Sequence, residues 1–365
     1  MAYILCQWLT HPGNNKAQWS GWASLFLAHP VGAAVRRHNL DLKIPDPSRS
    51  RMQPLLNAIA SMPLPSEAQR IFHGRGGLYP GCAHWSLDFF PPVWVLTSFL
   101  PVEDDQLSAI GATLEQRWAE LAPGQPLNWV FQCRYEGRSS TQVMAGAVPD
   151  PHWVSEGGVR YHVSVAKGQN HGLFLDMAEG RRWVHDHIAE RAAAGDRVRV
   201  LNLFAYTCAF SIVALKAGAR HVTNLDMSKG ALAIGQRNHQ LNDVLANVSF
   251  LPHDIFSTWG KITRGGPYSL VIVDPPSYQK GSFVATKDYA RLLKRMFDLV
   301  EPGGYVLLCL NAPELGPAFL QSQMSELAPE LMFVERLANP PAFADVSDER
   351  SLKVLVYRAP PLERR

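Results

Sequence analysis

Five cysteines, Cys6, Cys82, Cys133, Cys208 and Cys309, are scattered over 365 residues without one C-x-x-C pair. Odd in number and far apart, they supply neither a disulfide framework nor a zinc cluster; they point to reduced thiols and a cytoplasmic protein. Histidines lack metal-ligand spacing too, since His185 and His187 diverge on a helix, so no metal is expected. Excess charge is equally scarce. The formal net charge is +3, with no polybasic tail, and any nucleic-acid contact must come from a local patch. No run approaches the roughly 18 apolar residues of a membrane span. The opening MAYILCQWLTHPGNN has no basic segment, and its apolar run is too short for a signal peptide. The most informative absence is glycine: none occurs between Asp196 and Gly218. A dinucleotide fold needs G-x-G-x-x-G at its first strand-to-helix turn, where backbone amides approach a pyrophosphate. A turn without glycine argues against such a cofactor and tolerates one without phosphate.

What is present is enough for large cores: hydrophobic residues make up 47% and charged ones 18%. The length suits two domains. Residues 1–65 mix Trp8, Trp19 and Trp22 with a proline-rich KIPDPSRSRMQPLL and no sustained period, which predicts an irregular arm packed on the body. From 66 to 165, strand-like runs surround one helix, EDDQLSAIGATLEQRWAELAPG, whose Leu107, Ile110, Leu114 and Trp118 recur at helical spacing behind acids at its start. A small α+β accessory domain of order β-β-α-β-β is expected there. From 166 to 365, helices alternate with short apolar strands: RVRVLNLFAYT, HVTNLDM, VSFLPHD, YSLVIVDPPS and YVLLCLNAP. That alternation means βαβ units and a parallel sheet buried on both faces. Two further strands, LMFVERLANPPAF and SLKVLVYRAP, follow without a helix between them, and they close the sheet as an antiparallel hairpin.

Ligands of open α/β sheets bind beyond the carboxyl ends of the strands. Three successive strands here end in an acid: Asp226, Asp254 and Asp274. Asp226 stands where a ribose acceptor belongs, although it or Ser228 can equally cap the next helix. Asp254 suits an adenine amino group or, again, a cap. S-adenosylmethionine carries adenosine and an amino acid but no phosphate, in keeping with the glycine-free turn.

VLNLFAYTCAFSIVALKAGARHVTNLDMS, FLPHDIF, VIVDPPSYQK, EPGGYVLL and NHGLFLDMAEGRRWV together resemble the bacterial large-subunit ribosomal RNA methyltransferases that modify guanine or cytosine. The likeness runs from about 160 to 358. It implies a class I methyltransferase (Rossmann-like) seven-stranded sheet with a terminal β-hairpin, behind a smaller α+β N-terminal domain that helps grip RNA. It implies S-adenosylmethionine as cofactor, with Phe204, Tyr206 and Thr207 beside its methionine part, Asp226 and Met227 on ribose and adenine, and Asp254 and Ile255 on adenine. Phe174 and Asp176 lie close by, and Asp274 stands at the reacting centre. Two positions depart from the pattern: Cys208 replaces a glycine, and Ala178 replaces a basic residue, with Arg181 and Arg182 a turn later.

For a guanine amino nitrogen, Asp274 and the carbonyl of Pro275 can accept from the NH₂ and aim its lone pair; for guanine N7 the lone pair is already free, and Asp274 would only hold the base or the cofactor. Tyr278 can stack on an extruded base or simply pack. Cytosine C5 needs a thiolate. In the resembling cytosine enzymes that cysteine follows the fifth strand, a slot filled here by Asn311; Cys309 lies two residues earlier and deeper. The sequence therefore favours nitrogen over carbon, with cytosine C5 and a non-catalytic RNA binder with a decayed cofactor site as the alternatives. For 23S rRNA, Lys287, Arg291, Lys294 and Arg295 fall near one helical face that Lys280 can join. Arg181 and Arg182 make a second candidate contact, and the Gly-rich RIFHGRGGLYPG with His73 and Arg75 is an RNA-facing loop or a plain turn.

Overall fold

The computed structural model describes residues 47–279 and 283–362, without the side chains of 47–51, 278 and 279. Most of the expected N-terminal arm, with its three tryptophans, lies outside these residues, as does Lys280. The part of the arm that is described is not irregular. It forms α1 (Pro47–Ser61), despite Pro54 inside the helix. Met52, Leu55 and Ile59 on one face are buried in the core, and that burial outweighs the weak local helix signal.

The accessory unit follows as β1 (Gln69–His73), β2 (Trp85–Phe90), β3 (Val93–Ser98), α2 (Asp104–Leu121), β4 (Asn128–Tyr135) and β5 (Arg138–Ala145), with sheet order β1-β2-β3-β4-β5. Three strands precede α2 where two were expected, because Pro91-Pro92 splits the long run WSLDFFPPVWVLTS into two antiparallel strands. Every residue of β2 and β3 is buried. Alternation along β3 shows why: Trp94 and Leu96 pack against α1 and α2, whereas Val93 and Val95 join the core of the second unit. Acids Asp104 and Asp105 sit in the first turn of α2, where the helix dipole favours them.

A separate hairpin, β6 (Trp153–Glu156) and β7 (Val159–His162), leads into α3 (Ala178–Ala193). The main sheet then runs β8 (Arg199–Leu203), α4 (Ala209–Lys216), β9 (His221–Leu225), α5 (Lys229–Leu241), β10 (Val248–Leu251), α6 (Trp259–Gly265) and β11 (Tyr268–Val273). A two-residue hairpin, β12 (Tyr278–Gln279) and β13 (Phe283–Val284), precedes α7 (Ala285–Leu293), α8 (Met296–Leu299), β14 (Val300–Leu310), α9 (Pro317–Leu327), β15 (Met332–Arg336) and β16 (Lys353–Arg358). The order is β10-β9-β8-β11-β14-β16-β15, with β16 antiparallel to both neighbours. This is the seven-stranded sheet with a terminal antiparallel pair that the sequence pattern implies. Residues alternate between two cores: Val200, Leu270 and Ile272 face α3 and α4, and Leu201, Val271 and Val273 face α6–α9. The single helical face expected over 287–297 breaks at Lys294–Arg295, so Lys287, Arg291, Lys294 and Arg295 do not share one continuous helix. No helix among the described residues is long and apolar enough to cross a membrane.

Candidate active site

Chain order reverses between β8 and β11, and a crevice opens beyond the carboxyl ends of the strands at such a switch point. Here it is a cavity of about 630 Å³. Its walls come from the ends of β8, β9, β10, β11 and β14, the 168–170 loop, and Gly137 and Ser139 of the accessory unit. Phe174, Asp176, Phe204, Tyr206, Thr207, Asp226, Met227, Asp254, Ile255, Asp274 and Pro275 all line it. The accessory unit thus supplies part of the wall, which sequence patterns did not show.

The first turn is built without glycine but with left-handed backbone. Phe204, Tyr206 and Cys208 have φ of 58°, 48° and 65°, a conformation costing L-residues roughly 1–2 kcal/mol each. Strain of this kind concentrates at functional sites. Its result is a backbone folded back on Asp226, whose Oδ2 accepts from Tyr206 N–H at 2.8 Å while Oδ1 accepts from Ser228 N–H at 2.7 Å. Ser228, not Asp226, caps α5, accepting from Ala231 N–H at 3.2 Å. Asp254 lines the cavity and accepts from Ser257 N–H at 2.9 Å, but it does not cap the following helix, whose N-cap is Thr258.

Cys208 can occupy its glycine-like position because α5 makes room. A Cβ at Gly235 would stand 2.5 Å from the Cys208 Sγ. Gly235→Ala is therefore expected to destabilise the protein by about 1–3 kcal/mol through overpacking. In the double variant Cys208→Gly/Gly235→Ala most of that loss should return, as denaturant unfolding will show. Additive losses would mean that the two positions do not share this space.

Other side chains are committed. Thr207 is buried and its Oγ1 donates to the Gly172 carbonyl at 2.6 Å, so it ties the 172–176 segment to the turn. Asn202 at the cavity floor starts a directional chain: its Nδ2 donates to Asn224 Oδ1, and Asn224 Nδ2 donates to Ser211 Oγ. The Ser211 hydroxyl in turn donates to His239 Nε2, and His239 Nδ1 to the Gly235 carbonyl. Burial lowers the His239 pKa and keeps the ring neutral, as the chain requires. Phe204 lines the cavity and also packs edge-on against Phe283 at 5.2 Å.

Arg181 corrects an expectation. It is 3% exposed, with its fork on Glu156 at 2.6 and 2.7 Å and a further bond to the Phe174 carbonyl at 2.8 Å. It lines the cavity from below instead of meeting RNA, because a buried guanidinium needs a carboxylate opposite it. Arg182 remains outside, 70% exposed and paired with Glu179. Arg291 is 58% exposed, pairs with Asp288 and lies 3.7 Å over the Phe256 ring. In the 70–81 segment, His73 contacts Arg70 and Phe343, and Arg75 lies over Phe99, which is packing within the fold. The Tyr278 side chain lies outside the described residues.

Asp176 and Asp274 face the cavity, and among the described residues neither forms an ion pair. Burial raises the pKa of Asp274 to about 7, the charge of Asp176 adds to the rise, and Arg181 opposes it. Asp176 is likewise raised by burial, against the pull of Arg70 and Arg181. Four carboxylates and one already paired cation repel a phosphate and suit a ligand bearing ammonium and sulfonium charges. Phe174, Phe204, Met227 and Ile255 offer apolar contact for an adenine. The residues present therefore fit S-adenosylmethionine.

The sequence profile of the S-adenosylmethionine-dependent methyltransferases matches residues 69–358. The chain belongs to this family. The methyltransferase is 31% identical over 176 residues to ribosomal RNA large subunit methyltransferase I of Aeromonas salmonicida, covering 47% of this chain and 43% of that one. It is 30% identical over 233 residues to the protein of that name from Tolumonas auensis, covering 60% and 57%. It thus spans about half the length of these relatives. Two solved chains share the fold at a TM-score of 0.69 and 22% identity: SMU.776 in complex with SAH, and a chain of Streptococcus mutans assigned as a SAM-dependent methyltransferase. Each alignment covers 86% of this chain and 79% of the other. S-adenosylmethionine is the cofactor of the family.

Proposed function

We propose that this methyltransferase modifies a guanine nitrogen of 23S rRNA in the cytoplasm. The observation that carries this is the cavity lining: Asp274, Pro275 and Asn311 all belong to it, and no thiol does. When bound, S-adenosylmethionine supplies a methyl on a sulfonium, a leaving group that needs no proton. Asp226 takes the ribose and Asp254 with Ile255 and Met227 the adenine, while Phe204, Tyr206, Phe174 and Asp176 hold the methionine part. Thr207 acts through Gly172. Asp274 and the Pro275 carbonyl accept from the guanine amino group and aim its lone pair in line with the methyl. Catalysis of this type is positioning, and the proline pair holds the acceptors at low entropic cost. The accessory unit closes the side where RNA enters, with Arg182, Arg291 and Lys280 as phosphate contacts and Tyr278 as a stacking surface.

Cys309 argues against cytosine C5. It is fully buried, absent from the cavity lining, and its pKa is pushed well up by burial and by Asp274, which favours the inert thiol. Cys309→Ser is expected to keep at least half of the wild-type transfer rate, and a loss beyond about a hundredfold would restore the covalent route.

Mass-spectrometric mapping of rRNA nucleosides from cells with and without the gene tests the proposal. One methylated guanosine should disappear with the gene. An unchanged profile overturns the rRNA reading, and calorimetry showing no S-adenosylmethionine binding at high micromolar concentration overturns the enzyme.

A further inference from the structure

The carboxyl end of β14 is fastened by side chains from three other segments. The Tyr289 hydroxyl on α7 donates to the Cys309 carbonyl. The Ser277 hydroxyl, three residues past Asp274, donates to the Asn311 carbonyl. Lys353 at the start of β16 donates through Nζ to the Ala312 carbonyl at 2.6 Å and to that of Glu349 at 3.3 Å. The Lys353 side chain is completely buried, and an ammonium is costly to bury unless its hydrogen bonds are needed. Amid these clamps the Asn311 side chain is exposed, lines the cavity beside Asp274–Ser277, and makes no hydrogen bond among the described residues. The register Val273↔Leu308 sets Asp274 and Asn311 at adjoining strand ends. A backbone held this firmly around one free amide is preorganised for recognition, because the entropy of fixing it is spent before a ligand arrives.

We propose that Asn311 is a specificity-determining residue that reads the hydrogen-bonding edge of the base presented to Asp274, with Ser277 and Lys353 as positioning residues for its backbone. This rests on the RNA reading above. A carboxylate can only accept, whereas an asparagine amide both donates and accepts. Guanine offers an amino donor beside its ring N–H and, further along the same edge, the O6 acceptor. Asp274 accepts from the amino group and Asn311 donates to O6. Adenine has a donor in place of O6, uracil has no amino group, and cytosine sets an N3 acceptor against Asp274 where guanine has its ring N–H.

The test uses the full-length protein, S-adenosylmethionine with a labelled methyl group, and rRNA from cells lacking the gene. Calorimetry reports cofactor affinity, and mass spectrometry reports which nucleosides are methylated. Asn311→Ala should lose about tenfold or more in kcat/KM for RNA, in line with one lost base contact, with cofactor affinity kept within about threefold. Asn311→Asp should lose more, since it sets an acceptor against O6. Ser277→Ala, which leaves the core intact, should lower the ratio of methylated guanosine to other methylated nucleosides without a parallel loss of cofactor binding; Lys353→Met should do the same if it folds. Wild-type transfer by Asn311→Ala overturns the proposal, as does a loss matched by weakened cofactor binding. Failure of the unaltered protein to methylate rRNA removes the RNA reading and this inference together. Full wild-type activity with an indifferent Asn311 removes only the inference.

Discussion

Replacing Asp274 by asparagine is expected to cut methyl transfer to RNA by two to three orders of magnitude, on the order of what a positioned proton acceptor contributes. Affinity for S-adenosylmethionine should stay within about threefold. The side chain keeps its shape but loses the charge that accepts from the amino group, so the loss belongs in kcat. The pH dependence sharpens this. Burial and Asp176 hold the Asp274 pKa at about 7, and the accepting form is the ionised one. In the wild type kcat/KM should therefore rise with pH up to about 7 and then level, and in Asp274→Asn that limb should vanish. Stability runs the other way. Because the folded-state pKa lies above the ordinary value of 3.8, the contribution of this group to stability is present at low pH and is lost as pH rises from about 4 to 7. Asp274→Asn should therefore gain stability on the wild type at pH 8 but not at pH 4. An unchanged pH profile in the variant, or a collapse of cofactor binding, would remove Asp274 from the role given to it.

The row of strand-terminal acids was legible in the sequence because strand ends in a parallel sheet converge, and Asp226, Asp254 and Asp274 do line one cavity. Local chemistry decided less well between alternatives. Whether Ser228 or Asp226 caps α5 depends on which oxygen meets Ala231 N–H, and that is settled by the left-handed turn at Phe204 and Tyr206. The cysteine at position 208 reads as a defect until Gly235 is seen across from it, on the next helix. Helix α1 was missed because its local signal is weak and its stability comes from burying Met52, Leu55 and Ile59 in another unit's core. The contribution of Gly137 and Ser139 to the cavity is likewise a matter of how two sheets pack, and no periodicity carries it.

Arg181 shows the same limit, and it carries the second large expected effect. On the sequence it is one of two adjacent arginines on a helix, both of them candidates for RNA. In the fold Glu156, on a hairpin 25 residues earlier, takes one of them out of solvent. Arg181→Met should lower stability by about 2–4 kcal/mol, the cost of leaving a partly buried carboxylate without its partner; Arg182→Met, at the surface, should cost less than about 0.5 kcal/mol. If the loss comes from the orphaned charge, Arg181→Met/Glu156→Gln should recover much of it, because removing both partners is far cheaper than removing one. A double variant as unstable as the single one would instead place the cost in lost packing or in the Phe174 carbonyl left without its donor. The same substitution reaches the reacting centre. Arg181 is the cation that opposes the rise in the Asp274 pKa, so its removal should move the ascending limb of kcat/KM to higher pH. Arg182→Met should leave that limb where it was and, if Arg182 meets phosphate, raise KM for RNA while reducing its salt dependence. One arginine then reports through stability and the pH profile and its neighbour through salt, a division that two equivalent RNA contacts would not produce.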